Sequence, residues 1–128
     1  MTDHTFNEKS LERLAEVHMD LEKVFTEAIT ASPLPFQISQ GVRSLEEQKA
    51  LYEAGKSKTM NSRHLTGHAV DIVVYKDGKV SWDFQLYEQV ARHVLAVAKL
   101  CDVPMVWGGD WEKFRDGPHF ELDRREYA

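Results

Sequence analysis

The chain holds one cysteine, Cys101, among 128 residues. A lone thiol excludes an internal disulfide and a cysteine-rich zinc cage. At the end of an apolar helical run, Cys101 reads as a small buried hydrophobe. Positive charge is also scarce, with 16 Lys and Arg against 21 Asp and Glu, for a net charge of −5. Phosphate backbones are gripped by clustered cations, so nucleic acid is excluded as a partner. No apolar run approaches the roughly 18 residues of a membrane span, so membrane insertion is not expected. "MTDHTFNEKS" lacks the basic segment and apolar stretch of a secretion signal, which predicts synthesis in the cytoplasm. Repeats, low-complexity tracts and linkers are missing as well, and residues 1–128 are expected to form one domain.

The hydrophobic pattern that remains mixes two periods. Leu11, Leu14, His18, Leu21, Phe25 and Ala28 recur at three-and-four spacing, predicting one amphipathic helix over 11–28, capped near Thr5–Glu8 or at Ser10. "SPLP" stops it, because proline disfavours helix at the residue before it. "FQISQGV" alternates and reads as a short strand. "SLEEQKALYEAG" opens with a capping box, Ser44 with Glu47, and closes at Gly55. Residues 56–67 read as loop. "HAVDIVVY" and the short "KVSW" flank Asp77-Gly78, a hairpin turn signal. A helix follows from 84 to about 100, then the strand "VPMVW", the loop "GGDWEKFRDG" and the strand "PHFEL". The hairpin points to an antiparallel sheet flanked by helices, an α+β fold. Both helical stripes read as core, with no partner interface, and the chain is expected to be a monomer.

Chemistry concentrates in "SRHLTGHAVDI", residues 62–72. A zinc ion with an open position needs three ligands of the His, Asp, Glu or Cys kind. His64 and Asp71 are seven positions apart with Gly67 between them, so a loop turning at Gly67 into a strand can aim both at one point. Asp71 alternates with Val70 and Ile72 and so faces away from whatever they pack against. His68 competes for a ligand role, but a strand starting there shares no fixed face with His64; a place at the pocket rim is the alternative. "RDGPHFEL" adds His119, with Asp116 three residues before it. A carboxylate beside a metal-bound water can take its proton and pass it to a leaving amine. Each piece alone has a plain structural alternative: a packed histidine, or a turn at Asp116-Gly117.

Together, "SRHLTGHAVD" and "DGPHFE" resemble the M15 family of zinc peptidases, the D-alanyl-D-alanine peptidase group, whose fold is shared with hedgehog-type domains. Ser62, His64, Gly67, Ala69 and Asp71 match its first motif, and Asp116 and His119 its second. The resemblance implies one zinc ion per chain on His64, Asp71 and His119, with Asp116 as general acid/base. Aspartate in D-x-P-H-F-E is similar to the L-alanyl-D-glutamate endopeptidases, including phage endolysins, whose substrate is the stem peptide of peptidoglycan. Such enzymes reach the wall through a separate membrane pore. D-alanyl-D-alanine carboxypeptidases or dipeptidases, and wall-binding modules that have lost catalysis, are the alternatives. Arg43 could hold a substrate carboxylate or the oxyanion, and the resemblance adds Gln48 and Ser62 as substrate contacts. Of the tryptophans in "VWGGDW", Trp107 is taken as the one at the cleft.

Overall fold

The computed structural model describes residues 4–57, 59–60, 62–113 and 115–127. The stripe over 11–28 is not one helix but two, α1 (Glu8–Glu16) and α2 (Met19–Thr30). Val17 and His18 are extended between them. His18 causes the break. Its Nδ1 accepts from Asp20 N at 3.0 Å, as a cap for α2, and its own N–H donates to Gly67 O at 2.8 Å. Leu11, assigned to the inward stripe, is 54% exposed as a result. Asn7, within the Thr5–Glu8 stretch, caps α1, and Ser10 is buried with another task.

That task is to close a sheet edge. Strands β1 (Phe36–Gln40), β2 (Ala69–Lys76), β3 (Lys79–Ser81), β4 (Met105–Trp107) and β5 (His119–Leu122) form one antiparallel sheet. Its order is β1-β2-β5-β4, with β3 paired to the end of β2. An open edge invites pairing with other chains. Here Ser10 Oγ accepts from Ile38 N at 2.9 Å and Arg13 donates to Ile38 O at 2.9 Å, so α1 covers β1. Asp77 and Gly78, at φ 53° and 78°, make the predicted hairpin turn between β2 and β3.

Helices α3 (Leu45–Glu53) and α4 (Phe84–Leu100) complete the elements. The capping box forms as read: Ser44 Oγ accepts from Glu47 N and Glu47 Oε1 from Ser44 N, both at 3.0 Å. Helices α2 and α4 pack together, and Phe25, Val24, Val90 and Val94 meet Ile38, Val70, Ile72, Val74, Phe120 and Leu122 of the sheet in one buried core. Cys101 only partly enters it. Strand alternation does the rest. With Val70 and Ile72 in the core, Asp71 faces the other side, and so do His119 and Glu121 beside the buried Phe120 and Leu122.

Candidate active site

The three candidate ligands arrive on two kinds of backbone. Residues 56–67 are not all loop, since Arg63–Thr66 form a 3-10 turn that carries His64. Ser62 Oγ accepts from His64 N at 3.1 Å and starts the turn. Gly67 ends it at φ 76°, where a side chain would be strained, and sends the chain into β2. Asp71 and His119 come from the sheet, paired directly across β2 and β5. Donor atoms of His64, Asp71 and His119 all lie within 4.8 Å of one another. Asp71 Oδ1 is 3.2 Å from His64 Nε2 and 3.1 Å from His119 Nδ1.

The outer ring nitrogens are held too. His64 Nδ1 lies 2.9 Å from Gly41 O, and His119 Nε2 lies 2.9 Å from Glu121 Oε1. Both partners accept, so each takes an outer N–H and turns the inner nitrogen toward Asp71. Metal-bound histidines are oriented in this way. Two imidazoles and a carboxylate meeting at one point fit a zinc-type ion that keeps a position open for water. His68 stands apart. Its Nδ1 is 2.6 Å from Thr66 Oγ1, and its ring is tilted against that of His18.

Charge is strongly coupled at this point. Burial would raise the Asp71 pKa, but hydrogen bonds from His119 and His64 hold it far below the usual carboxylate range. Burial would lower the pKa of His119, but hydrogen bonds to Asp71 and Glu121 bring it up to about 9. Asp116 moves the opposite way from Asp71. Burial raises its pKa, and the negative charge of Asp71 adds to the rise.

Asp116 occupies a turn built with little slack. His119 N donates to Asp116 O at 3.1 Å, and Asp116 N donates to Gly108 O at 3.0 Å. A Cβ on Gly108 would lie 2.5 Å from Asp116 O, so the approach needs glycine. The buried indole of Trp107 donates to Gly117 O at 2.7 Å and pins the same turn. Trp107 therefore does not wall the cleft. It is fully buried in the core, and the exposed-side role falls to Trp111, whose ring lies 5.2 Å from that of His119.

Arg43 is tied into the site from both ends. Its N–H donates to His64 O at 3.0 Å, one terminal nitrogen donates to Gln48 Oε1 at 2.6 Å, and the other lies 3.8 Å from Asp71 Oδ2. Its buried Nε has no hydrogen-bond partner among the described residues. Gln48 is fully buried and does not line the cavity, so it positions Arg43 where a substrate contact was expected. Its amide donates onward to Ser57 Oγ and Thr59 O. Arg43, Ser62, His64, Asp71, Asp116 and His119 all border one cavity of about 590 Å³.

Glu121 and Arg115 are among the lining residues that the sequence did not single out. Glu121 had a signal, since it lies two residues from His119 on a strand and must share its face. Arg115 had none, because the loop that carries it has no periodicity to read, whereas Trp111 was one of the two tryptophans considered for the cleft.

A family model described as phage L-alanyl-D-glutamate peptidase matches residues 2–125. The L-alanyl-D-glutamate peptidase of Escherichia phage T5 is 31% identical over 126 residues, covering 95% of this chain and 91% of that protein. The L-alanyl-D-glutamate peptidase of Listeria phage A118 is 36% identical over 91 residues; these are 71% of this chain and only 31% of the longer phage protein. Among solved structures, the Serratia marcescens L-Ala D-Glu endopeptidase ChiX superposes with a TM-score of 0.89 at 44% identity, covering 96% of this chain and 93% of its own.

Proposed function

Because the chain belongs to the phage L-alanyl-D-glutamate peptidase family, we propose that it is a zinc metallopeptidase that cuts the stem peptide of bacterial peptidoglycan between L-alanine and D-glutamate. One observation carries the reading. A carboxylate with a raised pKa, Asp116, shares a cavity with the convergent trio His64, Asp71 and His119, and Arg43 stands beside them. A binding module has no need of such a base.

Zinc held by His64, Asp71 and His119 would polarise the scissile carbonyl and bring the pKa of a water down toward neutrality. The Asp116 carboxylate takes the proton from the attacking water and returns it to the departing amine nitrogen of the D-glutamyl residue. Burial and the charge of Asp71 suit it to this exchange, because a pKa raised above the ordinary carboxylate value makes the group a better proton acceptor. Arg43 faces the oxygen on which charge develops, held there by Gln48 and by the backbone of His64. Ser62 accepts from the amide of His64 and borders the cavity, where its own O–H can donate to substrate. Trp111 walls the cleft over His119. The protein works on the wall as a monomer, reaching it through a pore made by another protein.

The test is mass spectrometry of fragments released from purified Gram-negative peptidoglycan, with and without chelator. New N-terminal D-glutamate that disappears on chelation and returns with zinc is the expected result. Free alanine would assign a D,D-carboxypeptidase. Bound zinc without any product would assign a binding module.

A further inference from the structure

Although the chain carries a net charge of −5, six of its cationic side chains, Arg43, Lys56, Arg63, Lys113, Arg115 and Arg124, line the one cavity that holds Asp116. Most are committed or loose. Arg43 belongs to Gln48 and the Asp71 side. Arg63 donates to Leu122 O and Tyr127 O and, with Arg124, faces Glu121. Lys56 and Lys113 are exposed chains with many rotamers.

Arg115 is exposed as well, but its head group is held. Its Nε donates to Gly109 O at 2.9 Å, and its guanidinium lies over the Phe84 ring at 4.3 Å. Phe84 is in turn stacked on the buried Trp107, so the guanidinium rests on the core. These two contacts fix the plane of the group. Its terminal nitrogens have no partner among the described residues, which leaves one side of a rigid fork open on the cavity. A fork immobilised in advance loses little entropy when it binds a carboxylate.

The position also matters. Arg115 directly precedes Asp116, which delivers the proton to the leaving amine. In a D-glutamyl leaving group only one of the two carboxyls is needed to continue the stem peptide. When the chain continues through the side-chain carboxyl, the free one sits on the carbon that bears the leaving nitrogen. That carboxylate must therefore lie next to the proton donor. We propose that Arg115 reads this free carboxylate, making it a specificity-determining residue on the leaving-group side, while Arg43 serves the carbonyl side. The inference rests on the peptidase reading above.

A matched pair of stem peptides tests it, one with the free carboxylate and one with that group as the primary amide. The zinc-loaded parent should prefer the acid by on the order of 10- to 100-fold in kcat/KM, the range of a charge-assisted, two-pronged contact. Arg115→Gln should bring the acid-to-amide ratio close to one, and Arg115→Lys, which keeps charge without the planar fork, should fall between. The loss should appear chiefly in KM. Equal cleavage of acid and amide by the parent overturns the proposal. So does an Arg115→Gln protein that is slower on both peptides with the ratio intact, since that marks a purely structural staple. If the parent cuts neither peptide, the peptidase reading itself falls, and the specificity claim with it.

Discussion

The two walls of the cleft are built differently. One is sheet: Asp71 and His119 face each other across β2 and β5, with Glu121 on the same face behind them. Their positions follow from strand register, and a slip of one residue would turn all three into the core. The other wall is loop and turn: His64 after Ser62, Arg43 between β1 and α3, and the segment of Trp111, Arg115 and Asp116. Here glycines, caps and single hydrogen bonds replace register. Two of the three metal-ligand candidates, where a misplaced donor loses the ion, sit on the stiffer wall. The groups that move protons and meet substrate sit on the wall held by turns and single contacts.

The largest separation of the walls should come from Asp116→Asn. We expect turnover on purified wall to fall by a factor of about 10² to 10⁴, with zinc affinity measured by chelator competition close to parental. Gly108→Ala attacks the same wall through its backbone. The added methyl meets a carbonyl oxygen that has little room to retreat, so displacement of Asp116 should cost turnover on the order of 10²-fold. A parental rate for Gly108→Ala would show that the turn has slack.

The sheet wall should respond in affinity. Glu121→Gln keeps the shape but removes the charge behind His119, and zinc affinity should drop about 10- to 100-fold, read by competition with a chromophoric chelator. The same wall should respond to pH. The metal must displace the proton of His119, so affinity should rise about tenfold per pH unit up to about 9. The metal-free protein should behave inversely. The pKa of His119 is raised from 6.5 to about 9 on folding. The stability it contributes is therefore full below about 6.5 and lost as pH climbs through 9. On the acid side, Asp71, with its pKa depressed, contributes stability that is lost as pH falls below the ordinary carboxylate range. A calorimetric Tm of metal-free protein that rises from pH 6 to pH 9 would contradict this.

The two walls were also unequally legible. Alternation placed Asp71 opposite Val70 and Ile72, and the sheet obeys it. Spacing around Gly67 was enough to bring His64 within reach of Asp71. The capping box of α3 and the Asp77-Gly78 turn were equally plain, because each is a local rule with a local cause. What failed was tertiary. Nothing in the apolar stripe over 11–28 reveals that Gly67, far along the chain, takes the N–H of His18 and divides the helix. Gln48 looks like a surface residue of an amphipathic helix, yet it is buried under Arg43. Trp107 and Trp111 flank the same Gly-Gly-Asp, and only packing on Phe84 decides which one goes inward.

The most direct test of this division is native mass spectrometry of zinc binding to three proteins: the parent, Asp71→Asn and Asp116→Asn. One ion per chain is expected in the parent, none retained in Asp71→Asn, and one in Asp116→Asn even though that protein digests wall far more slowly. Zinc retained without Asp71, or lost without Asp116, would contradict the assignment of metal binding to Asp71 with its two histidines and of proton transfer to Asp116.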